Sequence, residues 1–205
     1  MRHSILIASN NVHKVQEFRE IFVQYGAAGA GLLTPQTLGL AIDPEEVGET
    51  YLDNARIKAR ALHSAARDHS HLWVLADDSG LEVDALGGAP GIRSARYHKS
   101  APARDGCAAL LRDLTDVTEA RRTARFRALI VLVAPGGQEH VFEGTCEGSI
   151  GFDKRGRGGF GFDPVFRVAG DIRHLAELSE EEKHRISHRG KATQHVIAFL
   201  RSAPA

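Results

Sequence analysis

At 205 residues, with 26 Lys and Arg against 26 Asp and Glu, the chain carries no formal net charge. That balance argues against nucleic acid or an anionic membrane surface as a partner, since both call for a basic face. The length suits a single domain over residues 1–205 that buries roughly 70% of its extended surface, and no apolar run approaches the roughly 20 residues that span a bilayer.

Met1-Arg2-His3-Ser4-Ile5 enters a strand-like run too early for a signal peptide, so a cytoplasmic location is expected. Ile5 to Ala8 is a continuous apolar run of the kind a buried strand gives. Ser9-Asn10-Asn11 follows, then Val15, Phe18, Ile21 and Phe22 at helical spacing. Strand, polar turn and helix in that order make an anion site, because the helix N-terminus offers N–H groups and Lys14 adds charge one turn in. Taken alone, the turn is better explained by plain capping beside a solvated lysine.

Residues 26–40 form a connection with one short strand at Gly31-Leu32-Leu33. Glu45 and Glu46 then precede a helix whose buried stripe is Leu52, Ala55, Ala59, Leu62 and Ala66. On that geometry Asn54 and Lys58, one turn apart, share a flank beside the stripe. His63, His69 and His71 lack a matched second pair or nearby cysteine, so they are expected as surface residues rather than a zinc site.

Val74-Leu75-Ala76 is an apolar run that ends in Asp77-Asp78-Ser79-Gly80. Ligands of open α/β sheets gather at the carboxyl ends of strands, so acids placed there would face a ligand rather than the core. The same residue types also make turns, which leaves a simple strand exit open. Leu81 to Leu86 alternates like a strand with an exposed edge, Gly87 to Gly91 forms a tight loop, and Pro102 to Leu114 has helical spacing.

Residues 124–133 and 139–150 are strand-like runs joined by Pro135-Gly136-Gly137-Gln138, an antiparallel hairpin that makes the sheet mixed. Arg125 and Arg127 can face Glu143 and Glu147 across it. Gly156 to Gly161 matches G-x-G-x-x-G by letter, but Phe162-Asp163-Pro164 leads to another strand and no helix opens, so the dinucleotide fingerprint is rejected. What remains is a glycine-rich loop that offers Phe160 and Phe162 beside Asp163 for stacking a base. Ser179 to Glu182 is a capping box, and Ser187-His188-Arg189-Gly190 breaks the helix before a last amphipathic one. Cys107 and Cys146 stand apart without metal spacing and are expected as packed thiols.

Taken together, five separated segments resemble the inosine triphosphate pyrophosphatase family, which hydrolyses non-standard purine nucleoside triphosphates to monophosphate and pyrophosphate. They are Ser9 to Lys14, Glu45 to Lys58, Ala76 through Gly91 to Tyr97, Gly158 to Pro164, and Glu177 through Lys183 to Gly190. The resemblance implies an elongated mixed α/β fold, its sheet flanked by helices in two lobes around a central active-site cleft, with Mg²⁺ dependence and a homodimer.

Carried over by position, Ser9, Asn10, Asn11, Val12, His13 and Lys14 would hold the triphosphate. Asp78 would bind metal and act as general base, with Glu45 a further metal acid and Lys58 a cation at the reacting phosphates. Ser79 and Lys183 would contact substrate. Phe160, Gly161, Phe162 and Asp163 would bracket base and sugar, and His188 and Arg189 would read the base. His13 stands where the family often has glycine.

Overall fold

The computed structural model describes the backbone of residues 3–100 and 105–203, and the side chains of all of these except 98–100. Pro102, where the sequence starts its third helix, lies outside them, as do Met1 and Arg2. Six strands form one mixed sheet in the order β2-β1-β3-β4-β5-β6. They are β1 (Ser4–Ile7), β2 (Gly31–Leu33), β3 (Trp73–Val83), β4 (Thr123–Val133), β5 (Glu139–Ile150) and β6 (Phe166–Val168). β1 runs parallel to both β2 and β3, whereas β6 is antiparallel to β5. β4 and β5 are neighbours joined by residues 134–138, where Ala134 N–H bonds Gln138 O at 2.8 Å, so the expected hairpin is present.

The chain divides into two compact units. Unit 1 is Met1–Asp78, Ala128–Gly144 and Gly190–Ala205. Here the continuous apolar runs are explained by burial on both faces. Ile5, Ile7 and Leu75 pack against α1 (Val12–Gln24) and α5 (His188–Ser202), whereas the alternate residues Leu6, Ala8, Val74 and Ala76 pack against α2 (Tyr51–Ala65). The α2 stripe is buried as expected at Ala55, Ala59 and Leu62, and Thr50 with Asp53 forms a capping box at its start.

Unit 2 is Ser79–Arg127 and Thr145–Arg189. Its core joins Leu81, Val83, Phe126, Cys146 and Phe166 with Cys107, Leu110 and Leu114 on and after α3 (Gly106–Asp113). Alternate sheet positions carry paired ions, with Arg125 3.2 Å from Glu147 and 3.0 Å from Asp84, and Arg127 3.8 Å from Glu82. Arg122 is buried because its guanidinium satisfies the carbonyls of Leu114, Val117 and Gly151 at 2.6–2.9 Å. The glycine-rich loop docks at Gly156, where a Cβ would stand 2.1 Å from Ala176 O.

Two expectations change. The strand does not end with the apolar run at Ala76: β3 continues through Asp77, Asp78, Ser79 and Gly80 to Val83. The pairing with β1 ends at Leu75 while β3 runs on beside β4, so the acids follow the end of a parallel neighbour and need no turn of their own. The other change concerns the last helix junction. Only Ser187, in extended backbone, separates α4 (Glu180–Ile186) from α5, and His188, Arg189 and Gly190 already belong to α5. A serine suffices as a helix-start residue, and one glycine in a first turn costs too little to stop the helix. Among the described residues no helix is long and apolar enough to cross a membrane.

Candidate active site

In unit 1 the first βα turn is held by its own side chains. Asn11 caps α1, its Oδ1 accepting from His13 N at 3.0 Å and Lys14 N at 3.3 Å, and Ser9 Oγ accepts from Asn11 N at 3.2 Å. Asn10 is tied sideways, donating to Ile42 O at 3.1 Å and accepting from Gln36 at 3.0 Å. Asn11 thus already engages two of the N–H groups that a helix start offers an anion, so phosphate here is met mainly by side chains or displaces the cap. Val12 is 73% exposed, and Lys14 reaches inward to Asp77 Oδ2 at 3.1 Å.

A cluster of charges in unit 1 lies on β3, α2 and the loop before it. Lys58 Nζ is 3.4 Å from Asp78 Oδ1 and 3.0 Å from Glu46 Oε1. Asn54 donates to the other Asp78 oxygen at 3.3 Å and accepts from Gly48 N–H at 2.9 Å. A Cβ on Gly48 would stand 2.6 Å from Asp53 Cβ and 2.7 Å from Asn54 Oδ1, so only glycine lets the loop carrying Glu46 lie so close to α2.

Burial raises the Asp78 pKa, opposed by Lys58 and Lys14 and assisted by Glu46 and Asp77. Burial pulls Lys58 down, yet Asp78, Asp77 and Glu46 together hold it above its usual value. Lys58 is therefore a fixed cation, and Asp78 a carboxylate readier than usual to take a proton. Glu46, not Glu45, is the acid on Lys58; Glu45 is exposed.

In unit 2 a second group of polar side chains is buried. Asp163 Oδ2 accepts from Phe160 N–H at 2.9 Å and from Lys183 Nζ at 2.8 Å, so one carboxylate folds the loop and neutralises the lysine. The Phe160 ring is half-buried, with Lys183 Nζ 5.2 Å and Arg189 Cζ 5.6 Å from its centre. Phe162 points the other way, buried edge-on against Tyr97 at 6.0 Å. Of the two phenylalanines, Phe160 is the one able to offer a face.

Gly161 presents its carbonyl to the Cys107 thiol at 3.2 Å. Arg189, though only 2% exposed, donates to Ser79 Oγ at 2.8 Å, and His188 lies face to face with Phe126 at 4.8 Å. Sequence reasoning set Asn54 beside Lys58 and Asp77 beside Asp78 but gave neither Asn54 nor Asp77 a role, and it put Glu45 before Glu46 at the metal. The available signal was Asn54, a short polar residue one turn before Lys58 on the flank of an otherwise apolar stripe.

The description "Ham1 family" is attached to the family model that matches residues 5–199. The chain belongs to the Ham1 family. Among Ham1 relatives, a protein of Methylococcus capsulatus named dITP/XTP pyrophosphatase is 44% identical over 205 residues, covering 98% of each chain. A protein of the same name from Halalkalibacterium halodurans is 41% identical over 196 residues, covering 95% of this chain and 97% of its own. The solved Ham1 protein of Staphylococcus aureus superposes with a TM-score of 0.80 at 38% identity, covering 97% of this chain and 98% of that one. The Ham1 protein of Coxiella burnetii gives 0.82 at 35% identity, covering 98% and 100%. The mixed α/β fold expected from the sequence is the fold of these Ham1 structures.

Proposed function

We propose that the protein hydrolyses non-standard purine nucleoside triphosphates (ITP, dITP and XTP) to the nucleoside monophosphate and pyrophosphate. The observation that carries this reading is Asp78, held by Asn54 on one oxygen and by Lys58 on the other, in a chain related end to end to proteins named dITP/XTP pyrophosphatase.

A water oxygen attacks the α-phosphorus, Asp78 takes its proton, and the bond to the bridging oxygen breaks to release pyrophosphate. The substrate brings about four negative charges, and Lys14 and Lys58 oppose them where charge accumulates on the departing group. Asn54 and Lys58 fix both oxygens of Asp78, so the base is oriented before substrate arrives.

The donor set suits Mg²⁺: Asp78 and Glu46 are hard oxygen ligands gathered by one lysine, with Glu45 beside them in sequence. When bound, the ion would neutralise phosphate oxygens and lower the pKa of a bound water. Base choice follows from hydrogen bonding. Hypoxanthine and xanthine carry a carbonyl where adenine carries an amine, so donors from His188 and Arg189 satisfy the former and oppose the latter. A cytoplasmic homodimer belongs to the same proposal.

The test is pyrophosphate release with Mg²⁺ from ITP, XTP, GTP and ATP at equal concentration. Release from ITP and XTP far above the other two is expected. Nucleotide binding without release from any of them would overturn the proposal in favour of a nucleotide sensor.

A further inference from the structure

Phe126 on β4 has no part in the chemistry above, yet its stacking in unit 2 on His188, at the start of α5, is closely defined. The ring centres are 4.8 Å apart and the planes are within 11° of parallel. Both residues are 6% exposed. Phe126 is held in turn by Phe166, 4.7 Å away and inclined at 51°. A histidine ring ordinarily has a broad torsion about its last side-chain bond. Against a flat neighbour that is itself locked, it keeps one plane, with both nitrogens directed sideways along that plane.

We propose that Phe126 is a positioning residue for base selection, holding His188 in the one plane from which its donor can meet the purine edge. The inference rests on the base-reading role given to His188 above. A donor that rejects the wrong base does so because it is left unpaired and cannot turn to another partner. An imidazole free to swing would relax around an amine and soften that penalty. The phenyl face therefore turns a hydrogen-bond preference into a discrimination.

The experiment is the ratio of kcat/KM for ITP to that for ATP in Phe126→Leu, His188→Gln and the double variant, with Leu110→Val on α3 as a control for a loosened core. Phe126→Leu should lower the ratio by about 2- to 10-fold, the worth of one aromatic pair. In the His188→Gln background it should lower it no further, because the two changes remove one interaction. Leu110→Val should leave the ratio unchanged. If Phe126→Leu yields no soluble protein, Phe126→Met removes the same flat face.

A ratio altered in His188→Gln but unchanged in Phe126→Leu would overturn the proposal and leave the base-reading role standing. Fully additive effects, or an equal loss in Leu110→Val, would overturn it likewise. A ratio unchanged in His188→Gln itself would overturn the base-reading role and this inference with it.

Discussion

Lys58 Nζ lies 3.4 Å from Asp78 Oδ1, and the lysine keeps its charge against burial because three carboxylates surround it. Removing either member takes away part of the other's compensation in a desolvated place. Asp78→Asn is expected to lower pyrophosphate release at least about a hundredfold, the lower end for a positioned general base, while the thermal melt stays cooperative. Activity within threefold of the parent would remove Asp78 from the role of base.

Glu45 and Glu46 are neighbours in sequence with different surroundings, and the metal requirement should separate them. Glu46→Gln is expected to raise the Mg²⁺ concentration needed for half-maximal release several-fold, since Glu46 shares Lys58 with Asp78. Glu45→Gln should change it little. Chelation with EDTA should abolish release from the parent protein, and added Mg²⁺ should restore it. A larger effect from Glu45→Gln would transfer the role to that residue.

The Asp163–Lys183 pair is almost wholly buried, its side chains 5% and 4% exposed. Breaking a buried pair from one side strands a charge at a cost of about 3–5 kcal/mol, whereas removing both charges can be close to neutral. Lys183→Met and Asp163→Asn alone should each lower the midpoint of chemical denaturation markedly. The double variant should recover most of the loss. Additive destabilisation would show that the pair acts as two separate contacts.

Arg189 is buried beside Phe160 and bonded to Ser79 Oγ. Arg189→Ala should narrow the preference for ITP over ATP by about tenfold or more, the cost of losing a charged hydrogen bond. An unchanged preference with a uniform fall in rate would assign Arg189 to phosphate instead.

Both cysteines are buried, and burial pushes the Cys107 thiol up to about 11. The native protein should therefore react slowly with a disulfide reagent at pH 8, and both thiols should react promptly in denaturant. The folded thiol holds its proton more tightly than the unfolded one. Its contribution to stability is accordingly full below the unfolded pKa and declines as pH rises from about 9 towards 11. Rapid labelling of native protein at pH 8 would contradict this.

Much of the fold is legible because burial leaves a periodic trace. The strand at Ile5–Ala8, the α2 stripe at Ala55, Ala59 and Leu62, and the β4–β5 hairpin follow from it directly. Asp77 and Asp78 looked like an exit from β3 because two buried acids within a strand are unusual in isolation; their compensation by Lys14 and Lys58 comes from two helices far away in sequence. Phe160 and Phe162, alike in sequence, point to different surroundings because Tyr97 claims only one of them. The choice of Glu46 over Glu45 is likewise a matter of loop conformation, set where the backbone passes Asn54.

Gly48 has no functional group, yet its missing Cβ gives Asn54 room to accept the Gly48 N–H and still reach Asp78. Even alanine would press the loop away from α2, carrying Glu46 off Lys58 and loosening one of the two ties on the proposed base. In a saturation-mutagenesis screen read out by activity, position 48 should therefore rank among the catalytic acids and lysine. An inhibitor-design effort that took such a ranking as a contact map would be aiming at a residue with nothing to contact.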